Sequence, residues 1–237
     1  MELQELSLIG IVGQLRYQLR PRFPDVRGAF IEELTGVLKL PHWGYGDEVL
    51  TFHDEERTLT LLAAGRELRA QFSRIDDTER IISMVTTMFD LALARFAVEE
   101  VEFIGARSFW AAAVDSFEEL RDSLTDRLGS EAYADLLKTV GRPVTDVGWV
   151  VEFHEEDPKH AFRIGPMTRE QAIAVYLPDS KPEDLPESFL FLDLDRSYND
   201  KSYPAIEAPD RWEKALRKNF EIAGSLGRIL TGTGAVR

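Results

Sequence analysis

From Thr78 to Phe96 the apolar residues Ile81, Ile82, Val85, Met88, Phe89, Ala92, Leu93 and Phe96 recur at a spacing near that of a helical turn. That spacing gathers them on one face of a helix. Asp76 and Asp77 stand where a helix cap belongs, because a short side-chain oxygen there can accept from the free N–H groups of the first turn. A helix with one apolar face is stable only when a second layer covers it, so the segments on either side decide the fold.

Those segments read as extended. Leu6 to Leu19 is apolar and β-prone until Pro21 and Pro24, and Pro24 suits the first turn of a helix over Asp25 to Leu38, marked by Val26, Phe30, Ile31, Leu34, Val37 and Leu38. After the glycine- and aromatic-rich stretch Pro41 to Gly46 come Glu48 to His53, Arg57 to Ala63 and Glu67 to Arg74, joined by the short links Asp54-Glu55-Glu56 and Ala64-Gly65-Arg66. This is the pattern of an antiparallel meander. With a further strand over Val98 to Phe109, the first half reads β-α-β-β-β-α-β.

In the second half, Ser116 and Glu119 have capping-box spacing, and Phe117, Leu120, Leu124 and Leu128 share a helical face before Gly129. A short helix is expected over Glu131 to Thr139. Val147 to His154, Ala161 to Ile164, Ala172 to Leu177 and Phe189 to Asp195 are expected as strands, with Pro178, Pro182 and Pro186 in a stiff loop between the last two. Arg211 to Ile229 closes the chain as a helix through Trp212, Leu216, Phe220 and Ala223, before a loose tail over Thr231 to Arg237. The expected class is therefore α+β. It is read as two lobes, residues 1–112 and 113–237, each a mainly antiparallel sheet with helices on one face.

Composition narrows the function classes. The 42 acidic residues outnumber the 28 basic ones, for a formal charge of -14, and such a surface repels phosphate backbones and anionic lipid. No nucleic-acid or membrane partner is expected. Without cysteine there is no disulfide, thiolate nucleophile or cysteine metal site, which suits a reducing compartment and points to the cytoplasm. The apolar run Leu6 to Val12 is preceded by Glu2 and Glu5 and is expected as a strand, not an export signal.

Few residues carry chemistry by pattern. Asp193 and Asp195 at the end of an apolar strand point to one face, because strand side chains alternate. Two carboxylates there can begin a Mg²⁺ or Mn²⁺ site, with Asn199 and Asp200 nearby; the other reading is carboxylates that solvate a strand end. His154 with Glu155, Glu156, Asp157 and His160 forms the densest group that could include a base or a metal ligand, and also reads as a solvated hairpin loop. Trp43 and Tyr45 with His42, and Trp110 with Phe109, are candidate binding aromatics or plain core. Arg107, between Ile104 and Phe109, must face outward or find a buried acidic partner. No serine has a nucleophile-elbow context, and Gly44-Tyr45-Gly46 lacks the third glycine of a nucleotide fingerprint. No cofactor is expected.

The strand Val101 to Trp110 with its glycine, small residue and arginine, the Leu192-Asp193-Leu194-Asp195 strand, and the closing helix Trp212 to Leu230 with Phe220 together resemble a sporadically distributed family of two-lobed α+β prokaryotic proteins of about this length. The resemblance spans nearly the whole chain. It departs where this chain has Arg107-Ser108-Phe109 and the family tends to an arginine-tyrosine-asparagine run. It implies a fold and no activity.

The leading expectation is a non-catalytic interaction or accessory protein acting through a protein partner or by self-association. The alternatives are a metal-dependent enzyme on a phosphorylated small molecule, using Asp193 and Asp195, and a ligand-binding protein with its site between the lobes.

Overall fold

Nine strands are joined edge to edge in one antiparallel sheet. The structure, a computed structural model, describes residues 4–56, 58–128, 139, 146–153 and 157–231. In chain order the elements are β1 (Ser7–Arg16), α1 (Phe23–Leu38), β2 (His42–Gly46), β3 (Val49–His53), β4 (Leu59–Ala64), β5 (Glu67–Phe72) and α2 (Thr78–Arg95). There follow β6 (Glu100–Val101), β7 (Phe103–Ala113), α3 (Phe117–Leu128), β8 (Trp149–Phe153), β9 (Lys159–Thr168), α4 (Arg169–Val175), β10 (Ser188–Tyr198), β11 (Tyr203–Pro204) and α5 (Ala208–Thr231). The sheet order is β2-β3-β4-β5-β1-β7-β10-β9-β8, and β6 and β11 form a separate two-stranded ladder.

The α+β class is as expected; α1, α2, α3 and α5 cover one face of the antiparallel sheet, and α4 lies on the other. Where two sheets were anticipated there is one. The two longest strands, β7 and β10, pair over ten residues from Phe189↔Ala113 to Tyr198↔Ile104, so hydrogen bonds run without interruption from the first half of the chain into the second. Ala112 and Ala113, at the anticipated division, are the last residues of β7.

Alternation along the strands sorts the side chains. Ile11, Leu15, Leu50, Phe52, Leu61, Leu68, Ala70, Ile104 and Ala106 face α1, α2 and the first half of α5 in one core, with Phe30, Phe89 and Trp212 filling it. Trp110, Leu190, Leu192 and Leu194 continue that face beneath α3 and the rest of α5. A staple holds the centre of the sheet to its helical cover: buried Asn219 of α5 donates from Nδ2 to the backbone oxygens of Ala106 and Leu194, both at 3.1 Å. Gly13 allows Trp212 to lie directly on β1, since a Cβ there would stand 2.7 Å from the indole Nε1.

Three local expectations need correction. Pro41 to Gly46 contains a strand, β2. Ala172 to Leu177, anticipated as extended, begins inside helix α4: Thr168 caps it, accepting from Gln171 N while Gln171 Oε1 accepts from Thr168 N at 2.9 Å. Ala172 and Leu177 are apolar because they pack down on the sheet, which makes a helix of about two turns resemble a strand. The strand expected from Val98 to about Phe109 is instead two: the short β6, which belongs to the separate ladder, and β7, which starts at Phe103 and runs on to Ala113. The helix expected from Glu131 falls outside the described residues except for Thr139, as do the tail beyond Thr231 and the loop residues His154, Glu155 and Glu156. No helix among the described residues is long and apolar enough to cross a membrane.

Candidate binding site

The sheet's second face is covered only in part. A small cap made of α4, Tyr176, Leu177 and Leu185 lies over Phe109, Ala111, Phe189 and Phe191. Beside it the open face carries Gln14 from β1, Arg69 from β5, Phe103 and Arg107 from β7, and Asp195 from β10, which with Val175 and Tyr176 line a concavity of about 200 Å³. This is where the sequence-level candidates Arg107, Asp193 and Asp195 come together, at the middle of the sheet.

Register explains the meeting. Asp193 lies opposite Phe109 on β7 and Arg163 on β9, while Asp195 lies opposite Arg107 and Ala161. Arg107 does not bond its direct neighbour. It reaches diagonally and donates from Nε to Asp193 Oδ1 at 2.7 Å and from Nη2 to Oδ2 at 2.6 Å, a two-pronged guanidinium–carboxylate bond. Arg163 Nη1 adds a third donor to Oδ2 at 3.0 Å. The Asp193 side chain is completely buried, so Arg107 has the acidic partner its sequence position demanded. Its guanidinium carbon also lies 4.9 Å from the Phe109 ring centroid and 5.5 Å from that of Tyr176. Burial disfavours the Arg107 charge, and the neighbouring Asp193 and Asp195 more than offset that, holding its pKa above the usual arginine value.

Asp195 is treated differently. No hydrogen bond reaches its carboxylate from any described residue, and burial raises its pKa despite the opposing pull of Arg107 and, more weakly, Arg163, with the Asp193 charge pushing the same way as burial. The two carboxylates that the alternation of the strand placed on one face therefore differ. Asp193 is occupied by arginines, and Asp195 is open to the concavity. Among the described residues no group of three or more histidines and carboxylates is placed to hold a metal ion.

The aromatic candidates lie elsewhere. Trp110 is on the helical face, its ring packed edge-on against Phe220 at 5.7 Å and its Nε1 donating to Ser108 Oγ at 3.0 Å; it is part of the core. Trp43 and Tyr45 are on β2, five strands from β7, or roughly 24 Å at the usual strand spacing. They project to the helical face opposite Phe52 and Leu50. Among the described residues the three aromatics do not meet. His160 sits on β9 opposite Arg196, away from the concavity. Its imidazole pKa is pushed down to about 4 by burial and by Arg196 and Lys218.

Sequence reasoning missed Arg69, Gln14, Phe103 and Tyr176. The strand pairing was the missing information: Gln14 lies opposite both Arg69 and Gly105, which brings β5 and β1 beside β7. Arg163 was equally unmarked, and only the β9–β10 register shows why an arginine sits there. No protein-family model matches the chain, and no curated protein is similar to it at a significant level.

Proposed function

We propose that this chain is a non-catalytic interaction protein that acts through a protein partner at the β2 edge of the sheet. The observation that carries the reading is β2 itself. Among the described residues it pairs only with β3, all five of its residues are exposed, none is acidic, lysine or arginine, and Trp43 and Tyr45 are 54% and 44% exposed. Edge strands present unpaired N–H and C=O groups, and folded proteins ordinarily protect them with charge, proline or a covering element. In a chain with 30% charged residues, an edge strand with no acidic, lysine or arginine residue of its own and two half-exposed rings, one of them under the Arg27 guanidinium at 4.3 Å, has the character of a docking strand. A cysteine-free chain of this kind suits the cytoplasm.

The partner that β2 fits by its own pattern is a second copy. An antiparallel pairing about a two-fold axis at Gly44 sets Trp43 of one copy opposite Tyr45 of the other, twice over, and extends both cores across the junction. Cross-strand aromatic pairs contribute roughly 0.2–1 kcal/mol each. A five-residue strand pair is small beside the roughly 1,200 Å² of stable interfaces, so the expected dimer is weak, with a dissociation constant of order micromolar. Because each copy carries a formal charge of -14, added salt should strengthen it.

Sedimentation velocity between roughly 1 and 100 μM, at low and moderate salt, tests this reading. The wild type should dimerise, more tightly as salt is added, and the double variant Trp43→Lys/Tyr45→Lys should remain monomeric with unchanged circular dichroism. A wild type that stays monomeric across the range, or a double variant that still dimerises, overturns the assignment of β2.

A further inference from the structure

Asp195 and Arg107 are direct cross-strand neighbours, the arrangement in which opposite charges on a sheet normally bond. Here Arg107 is turned to Asp193, and Asp195 is left facing the concavity with no hydrogen bond from any described residue. A second mismatch stands across the same space. An arginine has five N–H donors; Arg69 gives one to Gln71 Oε1 at 3.0 Å, and Arg107 gives two to Asp193. Both arginines therefore keep donors available where they line the cavity, opposite an acceptor that has no donor.

We propose that this concavity binds a small zwitterion of single-amino-acid size, its ammonium group held by Asp195 and its carboxylate by Arg69 and Arg107. The charge pattern excludes the simpler ligand classes. A simple anion would be drawn to the arginines and repelled by Asp195. A simple cation would meet the reverse. An apolar molecule would cover the Asp195 carboxylate without supplying a donor, which is costly. A molecule with both charges a few bonds apart satisfies both sides at once.

Size and walls agree with that class. The volume of about 200 Å³ is below the roughly 300–1,000 Å³ of cavities that take drug-sized ligands. Phe103, Phe109, Tyr176, Val12 and Val175 supply apolar surface between the polar groups, suited to a side chain that is flat or branched and uncharged. The rings are held in place: Arg16 stacks on Phe103 at 4.1 Å, and Phe109 meets Tyr176 edge-on at 5.7 Å. The Arg107–Asp193–Arg163 cluster then has a positioning role, because it turns the Arg107 guanidinium away from Asp195 and so keeps that carboxylate open.

The test uses the full chain with a panel of free α-amino acids at up to about 10 mM, read by thermal shift and then by calorimetric titration. The N-acetyl and methyl ester derivatives of each are run beside them, since the first removes the ammonium charge and the second the carboxylate. At least one free amino acid with an apolar or aromatic side chain should raise the melting temperature, and both of its derivatives should bind at least about tenfold more weakly. Asp195→Asn should abolish the preference for the free over the N-acetyl form, and Arg69→Gln the preference for the free form over the ester. Asp195 accepts no hydrogen bond from any described residue and Arg69 is partly exposed, so both variants should keep the wild-type circular dichroism; Arg69→Met, which also removes the charge, replaces Arg69→Gln if the latter unfolds. The proposal is overturned if no free amino acid shifts the melting temperature, if the derivatives bind as well as the parent, or if both preferences survive in the variants.

Discussion

Replacing Asp193 and Asp195 one at a time by asparagine separates two carboxylates that are two residues apart in sequence and alike in composition. Asp193→Asn keeps the shape and removes the charge that accepts three charge-assisted bonds, at 2.7, 2.6 and 3.0 Å. Removing one partner of a buried pair costs about 3–5 kcal/mol, because the other charge is left without compensation. The guanidiniums released here are not sealed in: the Arg107 and Arg163 side chains are 31% and 36% exposed, so water recovers part of their solvation. The loss should therefore fall at the lower end, about 3 kcal/mol, which lowers the melting temperature of a chain this long by roughly 6–12 °C. Asp195→Asn removes a charge that the fold raises in pKa and bonds to nothing described, so its effect should lie within about 0.5 kcal/mol of wild type or be stabilising. The sign follows from linkage. A carboxylate whose folded pKa lies above its unfolded value binds its proton more tightly when folded, so stability is lost as pH rises from the ordinary aspartate value through the raised one, and the loss persists above it. The Asp195→Asn variant should accordingly match wild type at acid pH and equal or exceed it at neutral pH. Urea unfolding followed by tryptophan fluorescence and circular dichroism, with unchanged denaturant slopes, gives these numbers. An Asp193→Asn cost under about 1 kcal/mol, or equal costs for the two variants, would refute the distinction between an occupied and an open carboxylate.

Two further outcomes follow from packing and charge. Gly13→Ala places a methyl group 2.7 Å from the Trp212 indole nitrogen and 2.9 Å from its Cε2; Trp212 is fully buried and packed edge-on against Phe89, so the variant should lose about 1–3 kcal/mol with a shifted tryptophan emission, and an unshifted, equally stable variant would show that β1 and α5 separate easily. The His160 imidazole, pushed down to about 4 by burial and by Arg196 and Lys218, should stay neutral by NMR titration well below pH 6. The unfolded chain takes up this proton first, so stability should rise with pH between about 4 and 6.5. His160→Asn should flatten that segment of the profile, and an imidazole titrating near its ordinary value would refute the burial argument.

Much of the fold was legible because it is written in period. Thr78 to Arg95 and Ala208 to Thr231 each carry a stripe that only a helix can bury, and Leu59 to Ala64 alternates buried and half-buried residues as a half-covered strand must. The failures share a cause. β2 carries little strand signal, because its residues make a ladder with β3 and bury almost nothing, so no apolar alternation marks it. Ala172 to Leu177 resembles a strand because its apolar residues serve a helix of about two turns lying on the sheet; the Thr168–Gln171 capping pair is the available signal and outweighs so short a pattern. The union of the two halves into one sheet was invisible for a different reason. It depends on β7 and β10 pairing across a long separation in sequence, and pairing partners leave no periodic trace in a single chain.

The binding site was legible only one strand at a time. Period two put Asp193 and Asp195 on one face, and the position of Arg107 demanded an acidic partner, yet neither fact says which carboxylate the arginine takes. That choice is made by the cross-strand geometry, where the diagonal bond to Asp193 is joined by Arg163 from the third strand. Once Asp193 holds two arginines, Asp195 cannot be held by the same guanidinium in the same two-pronged way, and it becomes the group free to accept from something else. The buried cluster and the open acceptor are thus two consequences of one register. Slipping β10 by one residue against β7 would turn both carboxylates into the helical core and point Leu192 and Leu194 at the cavity, which ties the chemistry of the open face to the packing of the covered one.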